Sequence, residues 1–294
     1  MKAGDEESRC DISIIVPSYQ QGRFLKECLD SILAQSDVGL EILVFDSEST
    51  DETAAILSSY GSDIQYVIEK DMGQAHAINK GLKRCKGRII GFLNSDDVLE
   101  PGALKYVLDR WTEDPSLDLL YGKARYIDEA SETVGDYRTK SWNWDEFKGE
   151  CFICQPAAFW SRRVMERVGP LDRRLDCSID YDYWFRIAQA EGKIRYADKY
   201  LARSRDYSAT KTQSLRGRVF IENFKISLSR LGVVHPFWIC QYLDYIKYEL
   251  KPRWSVVIPP RGMARDAITS LLSLSSKALA REVTFKELQS RTAI

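Results

Sequence analysis

Residues 88–97 read RIIGFLNSDD, an apolar run of strand length that ends directly in two carboxylates. Runs of the same kind occur at three earlier places: ISIIV at 12–16, EILVF at 41–45 and IQYVI at 64–68. Apolar residues at helical spacing separate these runs. Alternation of buried strands with amphipathic helices is typical of an open, mostly parallel sheet. The sequence therefore predicts an α/β fold whose ligand lies beyond the carboxyl ends of the strands.

The composition is that of a soluble globular protein. The 294 residues are 44% hydrophobic and 29% charged, with a net charge of -1, which excludes wholesale disorder and argues against a dedicated nucleic-acid binder. No apolar stretch is long enough to cross a bilayer, and the polar start lacks a signal-peptide core. We therefore expect a cytoplasmic protein. Cys151 and Cys154 have CxxC spacing without a second pair, so buried small hydrophobes are the favoured interpretation over a zinc or redox centre.

The net charge hides an asymmetry along the chain. Residues 1–212 carry a balance of -8, whereas residues 213–294 carry +7. The second segment also returns to helical periodicity. This change predicts a main domain over 1–212 and a helical, basic C-terminal extension over 213–294.

Carboxylates follow three of the four predicted strands. Asp46 follows the second strand, Asp71 the third, and Asp96 and Asp97 the fourth. Carboxylates at one sheet edge can bind Mg²⁺ or Mn²⁺ together with a substrate phosphate. The same residues are also good turn and helix-cap residues, so both interpretations stay open for each segment.

The segment DYDYW places Asp180 and Asp182 beside aromatic side chains. On a helix, residues two apart diverge, so only one of the two can face a crevice. A partly desolvated carboxylate is a suitable general base, because desolvation raises its pKa towards neutrality. The alternative is an acidic first helical turn favoured by the helix dipole.

Taken in order, these segments resemble family 2 glycosyltransferases over residues 12–212. EILVFDSESTDET resembles the family segment VDDGSTD, and EKDMGQAHAINKGLKRCKGRIIGFLNSDD resembles a subgroup pattern that ends in NSDD. CFICQPAAFW and the later SIDYDYWFRIA resemble the family's QPxxF and DYDLWLR segments. The resemblance implies the GT-A fold, a Rossmann-like mixed, mostly parallel sheet flanked by helices. It also implies a nucleotide-sugar-binding half over about 10–100 and an acceptor-binding half over about 100–212.

The resemblance assigns roles to individual residues. It implies an inverting glycosyltransferase in which Asp180 is the general base, and Asp96 and Asp97 bind a divalent metal, Mn²⁺ or Mg²⁺. The donor-binding set that it implies is Pro17, Tyr19, Asp46, Asp71, Lys80, Asn94, Asp96 and Lys211. Gln155 and Asp182 are placed on the acceptor side. The expected partners are a nucleotide sugar, with UDP favoured, and a glycan or lipid-linked acceptor of surface polysaccharide or glycolipid synthesis.

Several positions depart from the family pattern. Ser47 and Glu48 replace the usual Asp and Gly, and Ile179 replaces a frequent Glu. Tyr207 stands where many members carry a histidine that can bind the metal, and a phenol is a poor ligand at neutral pH. These changes keep a second hypothesis open, a nucleotide-sugar-binding protein without transfer activity. A nucleotidyltransferase is a third, disfavoured because PSYQQGRF lacks a Gly-rich phosphate loop.

The C-terminal extension combines aromatic residues over 213–250 with basic residues over 247–265. This combination suits the interface of an anionic bilayer, at the inner face of the membrane. Packing of the aromatics on the catalytic domain or on a second subunit, as in a homodimer, is the alternative.

Overall fold

The computed structural model describes residues 10–248, so the segment 249–265 of the predicted basic stretch lies outside the described residues. Nine strands form one sheet: β1 Ile12–Ser18, β2 Leu40–Asp46, β3 Gln65–Ile68, β4 Ile89–Phe92, β5 Val98–Leu99, β6 Leu119–Ile127, β7 Thr133–Asp136, β8 Ala158–Ser161 and β9 Ile194–Arg205. The strand order is β3-β2-β1-β4-β8-β6-β9-β5, with β7 paired to β6. The four strands predicted from the apolar runs are all present and lie side by side.

Ten helices accompany the sheet in the described residues: α1 Gly22–Leu33, α2 Thr53–Ser59, α3 Gln74–Arg84, α4 Ala103–Glu113, α5 Trp144–Phe147, α6 Arg162–Val168, α7 Ile179–Gln189, α8 Lys211–Ser214, α9 Arg216–Leu231 and α10 Pro236–Tyr248. The sequence places Leu25, Cys28, Leu29, Ile32 and Leu33 on one helix face, and in α1 the first four are buried, whereas Leu33 at the end of the helix is 36% exposed.

The sheet has two halves of different character. Strands β1 to β4 pair in parallel, whereas β8 runs antiparallel to both β4 and β6. The first half therefore has all its carboxyl ends at one edge, and the second half is mixed. The predicted mixed α/β fold is confirmed.

Helix α3 packs unusually close to the sheet. A Cβ atom on Gly81 would stand 2.5 Å from Cγ2 of Ile15 in β1, so only glycine fits there. At the start of the helix, Gly73 has φ of 102°, a conformation that favours glycine. Together these glycines fix where Gln74, the first residue of α3, lies relative to the end of β1.

The chain separates into two compact units. One comprises the described residues up to Arg216 except 148–150, and the other comprises Lys148–Glu150 with the chain from Gly217 onwards. The predicted division at 212 stays a prediction. Among residues 10–248, no helix has the length and apolarity needed to span a bilayer.

Candidate active site

The parallel strands bring the predicted strand-end segments to one edge of the sheet. Ser18 at the end of β1 is paired with Asp46 at the end of β2, and Asp46 with Ile68 of β3. Phe92 of β4 pairs with Ile15 of β1, which brings the loop that follows β4 to the same edge. We call residues 94–97 of this loop the NSDD loop. The turn after β1, with Tyr19 exposed, and the three acidic segments thus lie at one edge of the sheet, where open α/β sheets have their ligand crevice.

Asp46 organises the turn that follows it. Its side chain is 2% exposed, and its two carboxylate oxygens accept hydrogen bonds from the backbone N–H of Ser49 at 2.8 Å and the Ser49 hydroxyl at 2.6 Å. The backbone N–H of Gln20 in turn donates to the Ser49 hydroxyl at 2.8 Å. Asp46 therefore holds the turns after β1 and β2 together, the cap-like role left open by the sequence, while Pro17 lies buried in β1.

Asp71 and Lys80 also have local partners. Asp71 accepts from the backbone N–H of Gly73 at 2.8 Å, and its own N–H donates to the Ser47 hydroxyl at 3.2 Å. Lys80 forms an ion pair with Glu69 at 3.0 Å. These contacts shape the loop between β3 and α3, and the donor-binding roles of Asp71 and Lys80 stay predictions.

The two carboxylates of the NSDD loop face different surroundings. Asp97 is 3% exposed, and it accepts from the backbone N–H of Arg205 at 2.8 Å and from Nδ2 of Asn94 at 3.1 Å. Asp96 is less buried, and its Oδ2 accepts from the Tyr207 hydroxyl at 3.3 Å. Burial raises the pKa of both carboxyls, and the charge of Asp96 raises that of Asp97 further. Asp96 is thus the member of the pair that is open to a ligand.

Arg205 stabilises the backbone of this loop, a role that was not predicted from the sequence. Its side chain is fully buried, and its guanidinium donates to the carbonyl of Asp96 at 2.9 Å, the carbonyl of Asp128 at 2.5 Å and the Glu27 carboxylate at 2.6 Å. It also lies 4.4 Å over the ring of Phe24. The last residue of β9 therefore fixes the backbone of the loop that carries Asp96.

Tyr207 occupies the place that the resemblance assigned to a metal-binding histidine. Besides its contact with Asp96, its hydroxyl accepts from Nε2 of Gln21 at 3.0 Å, and its ring packs on Phe24 with centroids 5.5 Å apart. Burial raises the pKa of the phenol, so it stays protonated at neutral pH. A protonated phenol beside Asp96 donates a hydrogen bond to the carboxylate.

The predicted acceptor-side residues have internal partners. Gln155 is 9% exposed, and its Nε2 donates to the carbonyl of Phe92 at 2.6 Å while its Oε1 accepts from Asn94 at 3.2 Å. Asp182 is 2% exposed and pairs with Arg186 at 2.9 Å along α7. Both side chains support the fold around the crevice, and their contact with an acceptor stays a prediction.

Asp180 lies in the first turn of α7 and is less buried than Asp182. The divergence expected for two residues of one helix is observed, because Asp182 faces the interior. Asp97 and Asp180 both add to the raised pKa of the buried Cys154 thiol, after the larger effect of burial. Both carboxylates therefore act electrostatically on Cys154, and the role of Asp180 as a general base at the crevice stays a prediction.

Lys211, at the start of α8, extends to the donor side of the crevice. Its Nζ donates to Oε1 of Gln74 at 3.3 Å and forms an ion pair with Asp176 at 2.8 Å. It thus brings a positive charge next to the beginning of α3, where backbone N–H groups at the helix N-terminus also favour an anion.

Asp96 alone supplies too few ligands for a hard divalent cation. A bound substrate must therefore complete the coordination of the metal. Within the described residues, no group of three His, Cys, Asp or Glu side chains could hold a metal ion. Mg²⁺ and Mn²⁺ are commonly bound by one or two carboxylates together with substrate phosphates. The half-buried Asp96 offers carboxylate oxygens, the hard ligands that these cations prefer, at the edge of the sheet where a diphosphate would bind. The residues present therefore fit a cation shared between Asp96 and a diphosphate.

Comparison with known proteins gives the class that this fold and crevice define. The family described as Glycosyl transferase family 2 matches residues 13–168, and the chain belongs to that family. It is 28% identical over 233 residues to a chondroitin synthase from Escherichia coli, covering 76% of this chain. The chain spans about a third of that relative's length, since it covers 33% of it.

Solved structures of similar fold confirm the GT-A architecture. Staphylococcus aureus TarS 1–349 in complex with UDP-GlcNAc has a TM-score of 0.62 at 17% identity, over 95% of this chain and 77% of that one. The mannosyltransferase PcManGT from Pyrobaculum calidifontis, in complex with GDP-Man and Mn²⁺, has a TM-score of 0.61 at 20% identity, over 93% and 77%.

Proposed function

We propose that this chain is an inverting glycosyltransferase that moves a sugar from a nucleotide sugar, a UDP-sugar, to an acceptor hydroxyl. The observation that carries the proposal is the edge of the parallel sheet, where Asp46 ends β2, the loop with Asp96 follows β4, and Lys211 contacts Gln74 at the start of α3. Family membership favours this activity over a nucleotidyltransferase. The similarity to a chondroitin synthase supports an acceptor in polysaccharide synthesis.

The donor side would bind the nucleotide through the turns after β1, β2 and β3. Exposed Tyr19 offers a ring face for the base, and the turns fixed by Asp46 and Asp71 offer polar groups for base and ribose. Asn94, which accepts a hydrogen bond from Gln74 at the start of α3, would lie beside the nucleotide. Lys211 would neutralise part of the diphosphate charge from the opposite side.

A divalent cation, when bound, would supply charge neutralisation for the departing diphosphate. Asp96 would hold it together with phosphate oxygens, while Asp97 stays engaged with Arg205 and Asn94. Of the two carboxylates predicted as ligands, we therefore assign the direct contact to Asp96.

Asp180 would act on the acceptor. Its carboxylate takes the proton of the acceptor hydroxyl as that oxygen attacks the anomeric carbon from the face opposite the diphosphate. The bond from the anomeric carbon to the diphosphate oxygen breaks with its electron pair leaving on the diphosphate, so the configuration inverts. Holding both substrates in one crevice supplies the required alignment.

The test is release of nucleoside diphosphate from a panel of nucleotide sugars, with Mn²⁺ or Mg²⁺ and a panel of glycan acceptors. We expect acceptor-stimulated release with at least one UDP-sugar, reduced at least 100-fold in Asp180→Asn. Asp109→Asn, in an exposed ion pair of α4, is the matched control. Full activity in Asp180→Asn would remove this residue from the mechanism.

A second candidate is a nucleotide-sugar-binding protein without transfer activity. It is favoured by the contact of Tyr207 with Asp96, which puts a hydroxyl where a metal-binding imidazole was expected. The same panel separates the two functions, because a binding protein takes up the nucleotide and releases no diphosphate.

We propose that the helical extension makes a peripheral contact, with an anionic membrane or with a second subunit. Apolar side chains are exposed on or beside α9 and α10, at Leu228, Val233 and Leu243. Such a surface is one that a membrane or a second subunit would cover. Co-sedimentation with anionic vesicles at low and high salt tests the membrane contact, and sedimentation equilibrium tests the dimer.

A further inference from the structure

Four polar side chains form a continuous chain of hydrogen bonds from β4 to the start of α8. Nε2 of Gln155 donates to the carbonyl of Phe92 at 2.6 Å, and Nδ2 of Asn94 donates to Oε1 of Gln155 at 3.2 Å. Nε2 of Gln74 donates to Oδ1 of Asn94 at 2.5 Å. Nζ of Lys211 donates to Oε1 of Gln74 at 3.3 Å, which completes what we call the amide relay: Gln155, Asn94, Gln74 and Lys211.

The groups at the two ends of the amide relay determine which atom donates and which accepts in each of its hydrogen bonds. A backbone carbonyl can only accept, so Gln155 must turn its NH₂ group to Phe92 and its oxygen to Asn94. An ammonium group can only donate, so Gln74 must turn its oxygen to Lys211 and its NH₂ group to Asn94. Both requirements orient Asn94 in the same way, and Asp97 adds a further acceptor for its NH₂ group.

The position of Gln74 makes it the connection between two parts of the site. It is the first residue of α3, and the left-handed backbone of Gly73 directs the chain into the helix at this point. Its half-buried side chain bridges the NSDD loop of β4 and the start of α8. Without it, Asn94 loses the donor to Oδ1, and Lys211 keeps its contacts with Asp176.

We propose that Gln74 is a positioning residue that couples Lys211 to Asn94, so that diphosphate binding at the lysine and the orientation of the NSDD loop depend on each other. This inference rests on the proposed function, in which Lys211 meets the diphosphate and Asn94 borders the nucleotide. Gln74 itself acts through these two residues. Coupling through hydrogen bonds of fixed direction transmits a change at one end to the other.

The first experiment requires no nucleotide. Side-chain amide resonances of Asn94 are recorded by NMR in the ligand-free 294-residue chain, in Lys211→Met and in Gln74→Met, with Gln65→Met on the exposed edge strand β3 as control. We expect both relay variants, but not the control, to shift the Asn94 resonances. Unchanged Asn94 resonances in Lys211→Met and in Gln74→Met would overturn the relay.

The second experiment measures the dissociation constant of UDP with Mn²⁺ for Gln74→Met, Lys211→Met and the double variant. We expect about fivefold to tenfold weaker binding for each single variant and little further loss in the double variant. Gln74→Glu keeps an acceptor for Lys211 but sets a carboxylate against Oδ1 of Asn94, so it should bind UDP more weakly than Gln74→Met.

If the losses of UDP-binding free energy in the two single variants add fully in the double variant, the coupling is overturned. Two independent structural effects would add in this way. A wild-type protein that binds no UDP contradicts the proposed function instead, and the NMR comparison still decides whether the relay exists.

Discussion

The hydroxyl of Tyr207 lies 3.3 Å from Oδ2 of Asp96, the carboxylate that we propose as the metal ligand beside the donor. The phenol has a raised pKa caused first by its burial, so it acts as a hydrogen-bond donor to Asp96 at neutral pH. A cation that binds Asp96 must compete with this donor. The hydrogen bond from Tyr207 to Asp96 should therefore lower the affinity of the site for a metal.

Tyr207→His should increase Mn²⁺ affinity about tenfold in the presence of UDP, because an imidazole nitrogen replaces a protonated phenol beside Asp96. Tyr207→Phe should give a smaller increase, since it only removes the competing hydroxyl. Metal titration of the three proteins with saturating UDP measures the effect. Equal or weaker Mn²⁺ affinity in Tyr207→His would show that this position is not part of the metal site.

Arg205→Met should lower the free energy of unfolding by about 3 kcal/mol or more, because the carbonyls of Asp96 and Asp128 lose a buried donor. Arg88→Met is the matched control, since Arg88 forms a part-exposed ion pair with Asp11 worth about 0.2–1 kcal/mol. Urea denaturation measures both. A loss for Arg205→Met no larger than that of the control would contradict the role assigned to this arginine.

Glu48→Gly should raise the free energy of unfolding by about 0.5–1 kcal/mol. Glu48 has φ of 53°, a left-handed conformation that costs a side-chain-bearing residue about 1–2 kcal/mol, and glycine offsets part of this gain through its larger unfolded-state entropy. Glu52→Gly, at the N-cap of α2 with φ of -68°, serves as the comparison and should not stabilise the protein. Destabilisation by Glu48→Gly would mean that the glutamate side chain has a partner that outweighs the strain.

The second compact unit, which contains α9 and α10, should lose stability as the pH falls below about 6.5. Nδ1 of His235 accepts from the backbone N–H of Phe237 at 3.3 Å at the start of α10. Burial, and then the charge of Lys148, lowers the pKa of His235 below its usual 6.5. As the pH falls through this window the unfolded chain takes up the proton first, so the stability present above pH 6.5 is lost.

Thermal unfolding followed by circular dichroism at pH 7.5, 6 and 5 tests this dependence. His235→Asn keeps a capping side chain without a titrating group, so it should show a smaller loss on acidification. An identical pH dependence in both proteins would mean that another group controls it.

Much of the fold could be predicted because strand and helix periodicities are local properties of the chain. The runs that became β1, β2 and β4 are mostly apolar and buried, whereas β3 is an exposed edge strand. Parallel pairing then places the acidic residues that follow β2, β3 and β4 at one edge. The pairing of Asp182 with Arg186 also has a local signal, the spacing of four residues on a helix.

The role of Arg205 could not be predicted in this way. Its contact with Glu27 joins residues 178 positions apart, and a single arginine in a strand carries no pattern that announces such a partner. The inward direction of Gln155 is similar, because it depends on which carbonyl lies beside it after folding. Long-range polar contacts follow from the packed structure rather than from sequence periodicity.

Titration of UDP with and without Mn²⁺, on the wild-type protein, Asp96→Asn and the control Asp109→Asn, tests whether Asp96 binds a metal together with the diphosphate. We predict that Mn²⁺ strengthens UDP binding to the wild type and to the control, and that Asp96→Asn removes this gain while keeping the metal-independent binding. Absence of UDP binding to the wild type in either condition, or a full Mn²⁺ gain in Asp96→Asn, would contradict the account.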